Sequence, residues 1–357
     1  MSHFTFRAEF DNDRSVEIVP DYVHPLGTEE LAVLAADASS PLKLKIEGGS
    51  VLLDGIAKDG RATVTATINF AEKTSIFALV PGGWLPLPCV IPPRFLVDRN
   101  VVINLRDIRL GTANAEAKSI EWWTKLLDSN GSAVFNPLPF AFEAGFRRKP
   151  TMSEFRLAYE EGAHEIRHAL PSSKVVTLGE LGCRAGYKQL ETFDQRAAKE
   201  VAFLQEVSPL NIATSSRQRQ EQLSTEVLRL ADKHHLTRGS LPVLIALSCV
   251  YEDMTGSTRS IGRRLLKPSA KYSEADAFNA ISDLRHIEIA AAGQVYFQDE
   301  SFSLCTSDKG LAMLWSALSL RGESLPNDSI EFTVDLTPSL FARLSAPEIE
   351  HLRNRLQ

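Results

Sequence analysis

Residues 94–102 read Arg-Phe-Leu-Val-Asp-Arg-Asn-Val-Val, a short apolar run that ends in an acid and is followed by a second apolar run. The first run is typical of a fully buried strand, and the second indicates the start of a helix. An Asp that ends such a strand lies at the carboxyl edge of the sheet, where open α/β sheets bind their ligands. We therefore predict an α/β domain with a functional carboxylate at Asp98.

The residues just before this strand indicate a domain boundary. They include several glycines and prolines that exclude a helix or a central strand, namely Gly82, Gly83, Pro86, Pro88, Pro92 and Pro93. The length of 357 residues also favours two domains. We predict an N-terminal domain over residues 1–88 and an α/β domain over residues 94–357.

The N-terminal region has the pattern of a small β-rich domain. Residues 42–46 alternate Leu, Lys, Leu, Lys and Ile, which is typical of a half-buried strand, and residues 4–10 alternate in the same way. Gly48-Gly49 predicts a turn, with residues 51–56 as the returning strand. Residues 28–36 predict a helix. The region contains no nucleophile, metal cluster or phosphate loop, so we expect a binding, regulatory or assembly role.

Further acids follow in the α/β region. Glu143 ends a Pro-punctuated segment, residues 136–143. A helix is predicted from Ser273 to about Ala290, and it carries one polar stripe at helical spacing: Asp276, Asn279, Asp283 and His286. We predict a strand at 295–297, a hairpin turn at 298–301 and a strand ending in Thr306-Ser307-Asp308. Carboxylates gathered in this way suit Mg²⁺ or Mn²⁺, which can activate a water near a phosphate.

These segments resemble the acidic positions of PIN-domain proteins. In that family the first strand ends in Asp, a Glu follows on a later helix, an Asp lies on the helix before the fourth strand, and that strand ends in Thr-x-Asp. The resemblance covers residues 94–320 and implies a three-layer α/β/α domain with a parallel sheet. It implies metal-dependent hydrolysis of RNA or DNA, and we favour RNA. The implied catalytic metal ligands are Asp98, Glu143, Asp283 and Asp308.

The resemblance also implies supporting roles and leaves one choice open. Thr306 and Asn100 would orient the site, and Asp276 competes with Asp283 for the third acidic position. The long span between Glu143 and Asp283 requires a helical insertion around residues 151–270. Contacts to substrate phosphate are expected from nearby basic residues, namely Arg99, Arg147, Arg148 and Lys149. A toxin, a defence enzyme or an RNA-processing enzyme would each fit, and so would a PIN-like binding subunit without catalysis.

A competing motif occurs at residues 164–168. His164-Glu165-Ile166-Arg167-His168 fits H-E-x-x-H, in which two histidines one helical turn apart bind zinc and the Glu is the general base. A zinc-dependent peptidase is therefore the alternative enzyme. The charged residues around the motif favour an exposed helix face instead.

Bulk composition limits the partners. The net charge of −6 means that nucleic acid would have to be bound through local basic clusters or through metal, since proteins that grip nucleic-acid phosphates are usually basic. Arg263, Arg264 and Lys267 form a second such cluster. No apolar run suggests a membrane helix or a signal peptide, and four scattered cysteines indicate buried thiols in a reducing cytoplasm. The N-terminal domain could also mediate a homo-oligomer or a protein partner.

Overall fold

The computed structural model describes residues 6–9, 15–53, 56–70, 72–128, 133–143, 145, 148–211, 216–252, 260–296, 302–324 and 330–357. Within them the fold is α/β, with a mixed sheet of mostly parallel strands and a small antiparallel sheet at the N-terminus. One continuous hydrophobic core joins side chains from the N-terminal sheet, such as Leu44, to the C-terminal helix at Leu352. None of the helices in these ranges is long and apolar enough to cross a bilayer.

The N-terminal sheet is antiparallel and its strands are neighbours in chain order. Its inward side chains, such as Leu44 and Ile46, are buried while the intervening Lys45 is exposed, as the alternating pattern predicts. The helix expected at residues 28–36 is present with those bounds. The elements are β1 (Phe6–Glu9), β2 (Ser15–Val23), α1 (Thr28–Ala36), β3 (Leu42–Leu53) and β4 (Ile56–Ile68).

The turn predicted at Gly48-Gly49 is wrong. Strand β3 continues through these residues to Leu53, and its pairing with β4 shifts register between Gly48 and Ser50. A β-carbon on Gly48 would come 2.5 Å from the Ile18 side chain on β2. Gly48 therefore allows two strands to approach closely at a bulge. A bulge of this kind is, like a turn, a common place for glycine in a strand.

The central sheet has six strands in the order β6-β5-β10-β7-β8-β9. Strands β10, β7, β8 and β9 are parallel to one another, whereas β5 runs antiparallel to β10 and β6 antiparallel to β5. The six strands are β5 (Phe77–Val80), β6 (Gly83–Leu85), β7 (Arg94–Val97), β8 (Val134–Asn136), β9 (Lys174–Val175) and β10 (Ser303–Thr306).

The central sheet begins ahead of the stretch where we predicted the domain boundary. Strands β5 and β6 fall within the predicted N-terminal domain, 1–88, yet β5 pairs directly with β10 of the α/β region. The change from one sheet to the other therefore lies between Ile68 and Phe77. All four residues of β5 are buried, and a buried strand carries no signal in its sequence for the sheet it joins.

Helices surround the central sheet and connect its strands. The predicted insertion, 151–270, contains α5 to α9, but it also contains β9, which belongs to the sheet. The helices are α2 (Arg99–Arg109), α3 (Ala115–Asp128), α4 (Leu138–Glu143), α5 (Met152–Ala169), α6 (Glu180–Val207), α7 (Arg217–Lys233), α8 (Leu241–Val250), α9 (Ile261–Leu266), α10 (Glu274–Tyr296), α11 (Lys309–Ala317) and α12 (Ala346–Leu356); a hairpin of β11 (Leu318–Ser324) and β12 (Ile330–Leu336) precedes α12.

Helix α10 is longer than predicted. It continues to Tyr296, so the strand predicted at 295–297 is wrong for its first two residues, while Phe297 and the hairpin at 298–301 lie outside the described residues. Three consecutive alanines at 290–292 favour continuation of the helix, since Ala has the highest helix propensity. The strand predicted to end at Thr306 is present as β10.

Candidate metal centre

Asp98 lies at the carboxyl edge of the central sheet, as the sequence indicated. It follows β7 directly and is the N-cap residue of α2. Because β7 and β10 are adjacent and parallel, with Val97 opposite Cys305, the residues that follow them meet at one edge. Thr306 Oγ1 donates a hydrogen bond of 2.6 Å to Asp98 Oδ2. Asp98 is 3% exposed, so this hydrogen bond fixes a carboxylate in a nearly water-free setting.

His286 on α10 lies between Asp98 and Glu143. Its Nδ1 is 3.5 Å from Asp98 Oδ1, and its Nε2 is 3.2 Å from Glu143 Oε1. Although the ring is only 1% exposed, neither nitrogen makes a hydrogen bond of acceptable geometry. The three side chains offer ligand atoms that all lie within 4.8 Å of one another. Two carboxylates and an imidazole at that spacing could hold a divalent cation.

Glu143 reaches this group from the other side of β7. It is the last residue of α4, the short helix that follows β8, and its side chain is 20% exposed. Burial raises the pKa of the Glu143 carboxyl, His286 lowers it, and the charge on Asp98 raises it further. Arg99 provides partial compensation, with its Nε 3.8 Å from Glu143 Oε2. The carboxylate form is thus held at an energetic cost that a bound cation would remove.

Asp283 and Asp308 complete the set of four acids. Burial raises the pKa of Asp283 well above its ordinary value, and the nearby charges of Asp308, Glu143 and Asp98 raise it further. Asp308 is the N-cap of α11, where its Oδ1 accepts from Leu311 N at 3.0 Å, and its own N–H donates to Thr306 Oγ1 at 3.0 Å. The charges of all four predicted acids therefore interact, but among the described residues the group whose ligand atoms lie within 4.8 Å of one another includes neither Asp283 nor Asp308. Asp308 also has a capping role.

Asp276 and Asp283, the two candidates for the third acidic position, lie in different surroundings on α10. Asp276 is exposed near the start of the helix, where its Oδ2 accepts from the Ser273 N–H and hydroxyl at 3.0 and 2.7 Å. Ser273 Oγ in turn accepts from Asp276 N at 3.1 Å. This reciprocal pair is a helix cap, whereas Asp283 lies about two turns further along, within reach of the other acids.

Asn100 does not join the group. It is exposed on the first turn of α2, and its carbonyl accepts a hydrogen bond from Asn104 Nδ2 at 2.7 Å. In the described part of the chain no hydrogen bond links its side chain to the four acids. Asn100 comes two residues after Asp98 and already belongs to helix α2, so the direction of its side chain is set by that helix. The orienting role predicted for Asn100 therefore has no contact to support it.

Arg99 borders a cleft of about 210 Å³ that opens onto Glu143. Its guanidinium also lies 6.0 Å from the ring centroid of Phe140. Gly145, at a φ of +73°, packs against it, since a β-carbon there would come 2.7 Å from an Arg99 nitrogen. The remaining lining residues are Phe278, Asn279 and Ser282. Arg99 thus lies beside Glu143 on the wall of this cleft.

The other predicted phosphate contacts are engaged elsewhere. Arg148 makes two hydrogen bonds of 3.0 and 2.8 Å to Glu154, which lower the pKa of that carboxyl to about 2. Lys149 Nζ lies 3.5 Å from Asp194 Oδ2, above the ring of Tyr187. Arg147 lies outside the described residues. A nucleic acid would have to compete with these intramolecular pairs.

The H-E-x-x-H motif is not arranged as a zinc site. Glu165, the expected general base, is buried and makes two hydrogen bonds of 2.7 Å to Arg109. His164 and His168 are exposed, with ring centroids 6.4 Å apart. Among the described residues the one group of three candidate ligands is Asp98, Glu143 and His286. The motif therefore lacks both a third ligand and a usable base.

His286 is the site residue that the sequence pattern did not identify as a ligand. The sequence contains a signal for His286, because this residue lies three positions after Asp283 on the same polar stripe. The stripe runs from exposed residues, Asp276 and Asn279, to the fully buried His286. A polar residue at the buried end of such a stripe is the one most in need of a partner.

No family model, curated protein or solved structure matches the chain. Inference of a function therefore depends on the geometry and charge of the residues around Asp98.

Proposed function

We propose that this protein is a divalent-metal-dependent nuclease with a PIN-like three-layer fold, acting on RNA in preference to DNA. The chain order supports the proposal. Strands β7, β8, β9 and β10 are the four parallel strands in sequence order, and α10 is the helix before the fourth. The fourth strand ends at Thr306 and leads through Ser307 to Asp308, and the first ends at Val97 and leads directly to Asp98.

One observation carries the proposal. The carboxylates of Asp98 and Glu143 lie against a buried imidazole, His286, whose two nitrogens have no hydrogen bond in the described part of the chain. The charges of these two acids and of Asp308 also act on Asp283. Bringing like charges together under burial is unfavourable unless a cation is part of the functional state. A purely structural cluster would be expected to contain a paired Lys or Arg in its centre, whereas Arg99 lies at the edge, 3.8 Å from Glu143, and Lys267 acts on Asp283 only through its charge.

The donor set fits a divalent metal. Oxygen ligands from Asp98, Glu143, Asp283 and Asp308 suit Mg²⁺ or Mn²⁺. His286 adds an imidazole nitrogen, which favours a transition metal, so Mn²⁺ fits these residues better than Mg²⁺. When bound, such an ion supplies an activated water and stabilises charge on a phosphate oxygen.

The surrounding residues have separable tasks in this proposal. Thr306 holds the Asp98 carboxylate in a single orientation through its 2.6 Å hydrogen bond. Arg99, at the entrance of the cleft beside Glu143, neutralises a non-bridging phosphate oxygen of the strand that enters. The small cleft and the burial of Asp98 keep bulk water away from the phosphodiester.

The test combines metal binding with cleavage. Mn²⁺ binding is measured by calorimetry, and cleavage is measured on end-labelled RNA and DNA in Mn²⁺ and in EDTA. Asp98→Asn is expected to reduce cleavage more than 100-fold, beyond the roughly 10–100-fold typical of residues that only support a metal ligand. Its matched control is Asp276→Asn, the same change at an exposed helix cap, which should leave cleavage and Mn²⁺ affinity unchanged.

Two outcomes would overturn the proposal. Unchanged cleavage in both Asp98→Asn and Asp308→Asn would exclude the acid cluster as the catalytic site. Mn²⁺ binding and RNA binding by the wild-type protein without cleavage of either nucleic acid would instead indicate a binding subunit of PIN-like fold.

A further inference from the structure

A second pocket, of about 530 Å³, lies between α7 and α12 and shares no lining residue with the cleft at Glu143. It is bordered by Tyr251 at the end of α8 and by the segment that leads into α12. The residues that line it are mostly basic or polar, and among them are Arg217, Gln220, Arg343, His351 and Arg355. None of them has a task in the proposed nuclease reaction.

The two helices beside this pocket run in the same direction. Arg217, the first residue of α7, forms an ion pair with Glu348 in the first turn of α12. Two turns further along, Arg355 of α12 donates to Ser224 and Thr225 of α7 at 3.3 and 3.2 Å. The N-terminal ends of both helices therefore lie together. Their dipoles add positive potential at that end, which favours an anion.

The charged side chains of the pocket add to this potential. Three guanidinium groups, of Arg217, Arg343 and Arg355, line it together with His351, against the two carboxylates of Glu221 and Glu348. Glu348 is occupied, since it accepts hydrogen bonds from the Ser345 N–H and hydroxyl at 2.8 and 2.6 Å as well as pairing with Arg217. A concentration of guanidinium groups is unexpected on a chain whose net charge is −6.

A buried donor points to what the pocket binds. Gln220 is only 4% exposed, and its Nε2 has no acceptor among the described residues. A buried amide N–H without an acceptor costs free energy. An oxygen-rich anion in the pocket would accept from this amide and from the neighbouring guanidiniums, which are well suited to phosphate.

We propose that this pocket binds a phosphate group, held by Gln220 and by the guanidiniums of Arg217 and Arg343. Its volume is that of small-molecule sites, so it can accommodate the rest of a nucleotide beside Tyr251. The phosphate comes either from a free nucleotide or from the phosphorylated end of a nucleic acid. Both share the same dianionic group and the same contacts.

Binding is tested by calorimetry in EDTA, so that no metal ion bound at the acid cluster can hold the phosphate. The probes are inorganic phosphate, ADP, and one oligonucleotide prepared with a 5′-phosphate and with a 5′-hydroxyl. We expect saturable phosphate binding that weakens about tenfold in Gln220→Leu and in Arg217→Gln, since each removes a charge-assisted contact. Arg219→Gln is the matched control, because it makes the same change two residues away on α7, outside the pocket.

The results separate the sources and can refute the site. ADP binding that exceeds oligonucleotide binding identifies a free nucleotide, whereas a preference for the 5′-phosphorylated over the 5′-hydroxyl strand identifies a nucleic-acid end. Absence of saturable binding for every probe overturns the proposal. So does equal weakening by Arg219→Gln, which would indicate nonspecific attraction to charge. Gln220→Leu removes an unpaired donor and should fold, and Arg217→Gln, at an exposed position, provides a second check.

Discussion

Helix α10 carries two buried clusters of charge that differ in one respect. On one face Asp283 and His286 meet Asp98, Glu143 and Asp308. On another, Arg285 and Glu288 meet α6, where Arg196 Nε lies 3.3 Å from Glu200 Oε1 and also pairs with Glu288. Burial is severe in both places, and it raises the pKa of Glu288 to about 7.

The difference lies in the balance of charge. The α6 cluster contains the guanidiniums of Arg196 and Arg285 and the carboxylates of Glu200, Glu288 and Asp194, so charges of opposite sign lie near one another. The acid cluster contains four carboxylates and a histidine, with Arg99 at its edge and with Lys267 near enough to lower the pKa of Asp283. Buried charge that is internally balanced serves structure, whereas buried charge that is unbalanced indicates a missing ligand.

The largest effect is expected on the free energy of unfolding, which one substitution in each cluster should change in opposite directions. Burial raises the pKa of Glu200, but the neighbouring Arg196 and Arg285 lower it, whereas the neighbours of Asp283 raise its pKa further. Glu200→Gln should therefore lower the free energy of unfolding by about 3 kcal/mol, because it leaves the buried Arg285 with less compensation. Asp283→Asn should raise it by roughly 1 kcal/mol in EDTA, because it removes a charge from a crowded acid cluster. Urea denaturation measures both. A loss of stability in both variants would show that the acid cluster is balanced without metal.

A smaller effect is expected from Thr306→Val. This change keeps the shape of a buried residue but removes the donor to Asp98 Oδ2. We expect Mn²⁺ affinity to fall about tenfold, as for other residues that orient a metal ligand. Thr124→Val is the control, since Thr124 is equally buried but bonds to helix carbonyls of α3. Equal Mn²⁺ affinities in the two variants would contradict an orienting role for Thr306.

The smallest and most gradual effect concerns pH. The pKa values of Glu143 and Asp283 are raised in the metal-free protein, so protons compete with a cation for these carboxylates. Mn²⁺ binding should therefore strengthen as pH rises through the raised pKa values, and it should release protons. Calorimetry at about pH 6 and about pH 8, in buffers of different ionisation enthalpy, measures this release. Binding that is independent of pH would show that neither acid is a ligand.

The raised pKa values also affect the stability of the metal-free fold. A carboxyl whose pKa is higher in the folded than in the unfolded state destabilises the fold as it ionises. Stability in EDTA should thus fall as pH rises above the ordinary range of Asp and Glu, toward the raised values. In saturating Mn²⁺ this loss should disappear.

The sequence predicted the local features of the fold better than the long-range ones. The strand before Asp98 and the helix at residues 28–36 follow from short patterns of apolar residues. Gly48 was misassigned because a turn and a bulge require the same residue. The place of β5 in the central sheet could not be predicted, because its partner β10 lies more than 200 residues further along the chain.

Part of the candidate site could be predicted from the sequence for a related reason. Asp98 and Asp308 end apolar strands, so their position at the sheet edge follows from the local sequence. The contact of His286 with Asp98 and Glu143 depends on how α10 is rotated against the sheet, and periodicity alone does not fix that rotation. The hydrogen bonds of Asp276 with Ser273 show a capping role, which leaves Asp283 as the acid that interacts with the other three.

The two faces of α10 also limit which changes in chain length evolution can accept. Each residue turns a helix by about 100°, so one inserted or deleted residue ahead of Asp283 would rotate both clusters away from their partners. The same change would separate Arg285 and Glu288 from α6 and would separate Asp283 and His286 from the other acids. Insertions are therefore expected to accumulate in the loops on either side of α10, and related chains should keep an unchanged spacing from residue 276 to residue 288.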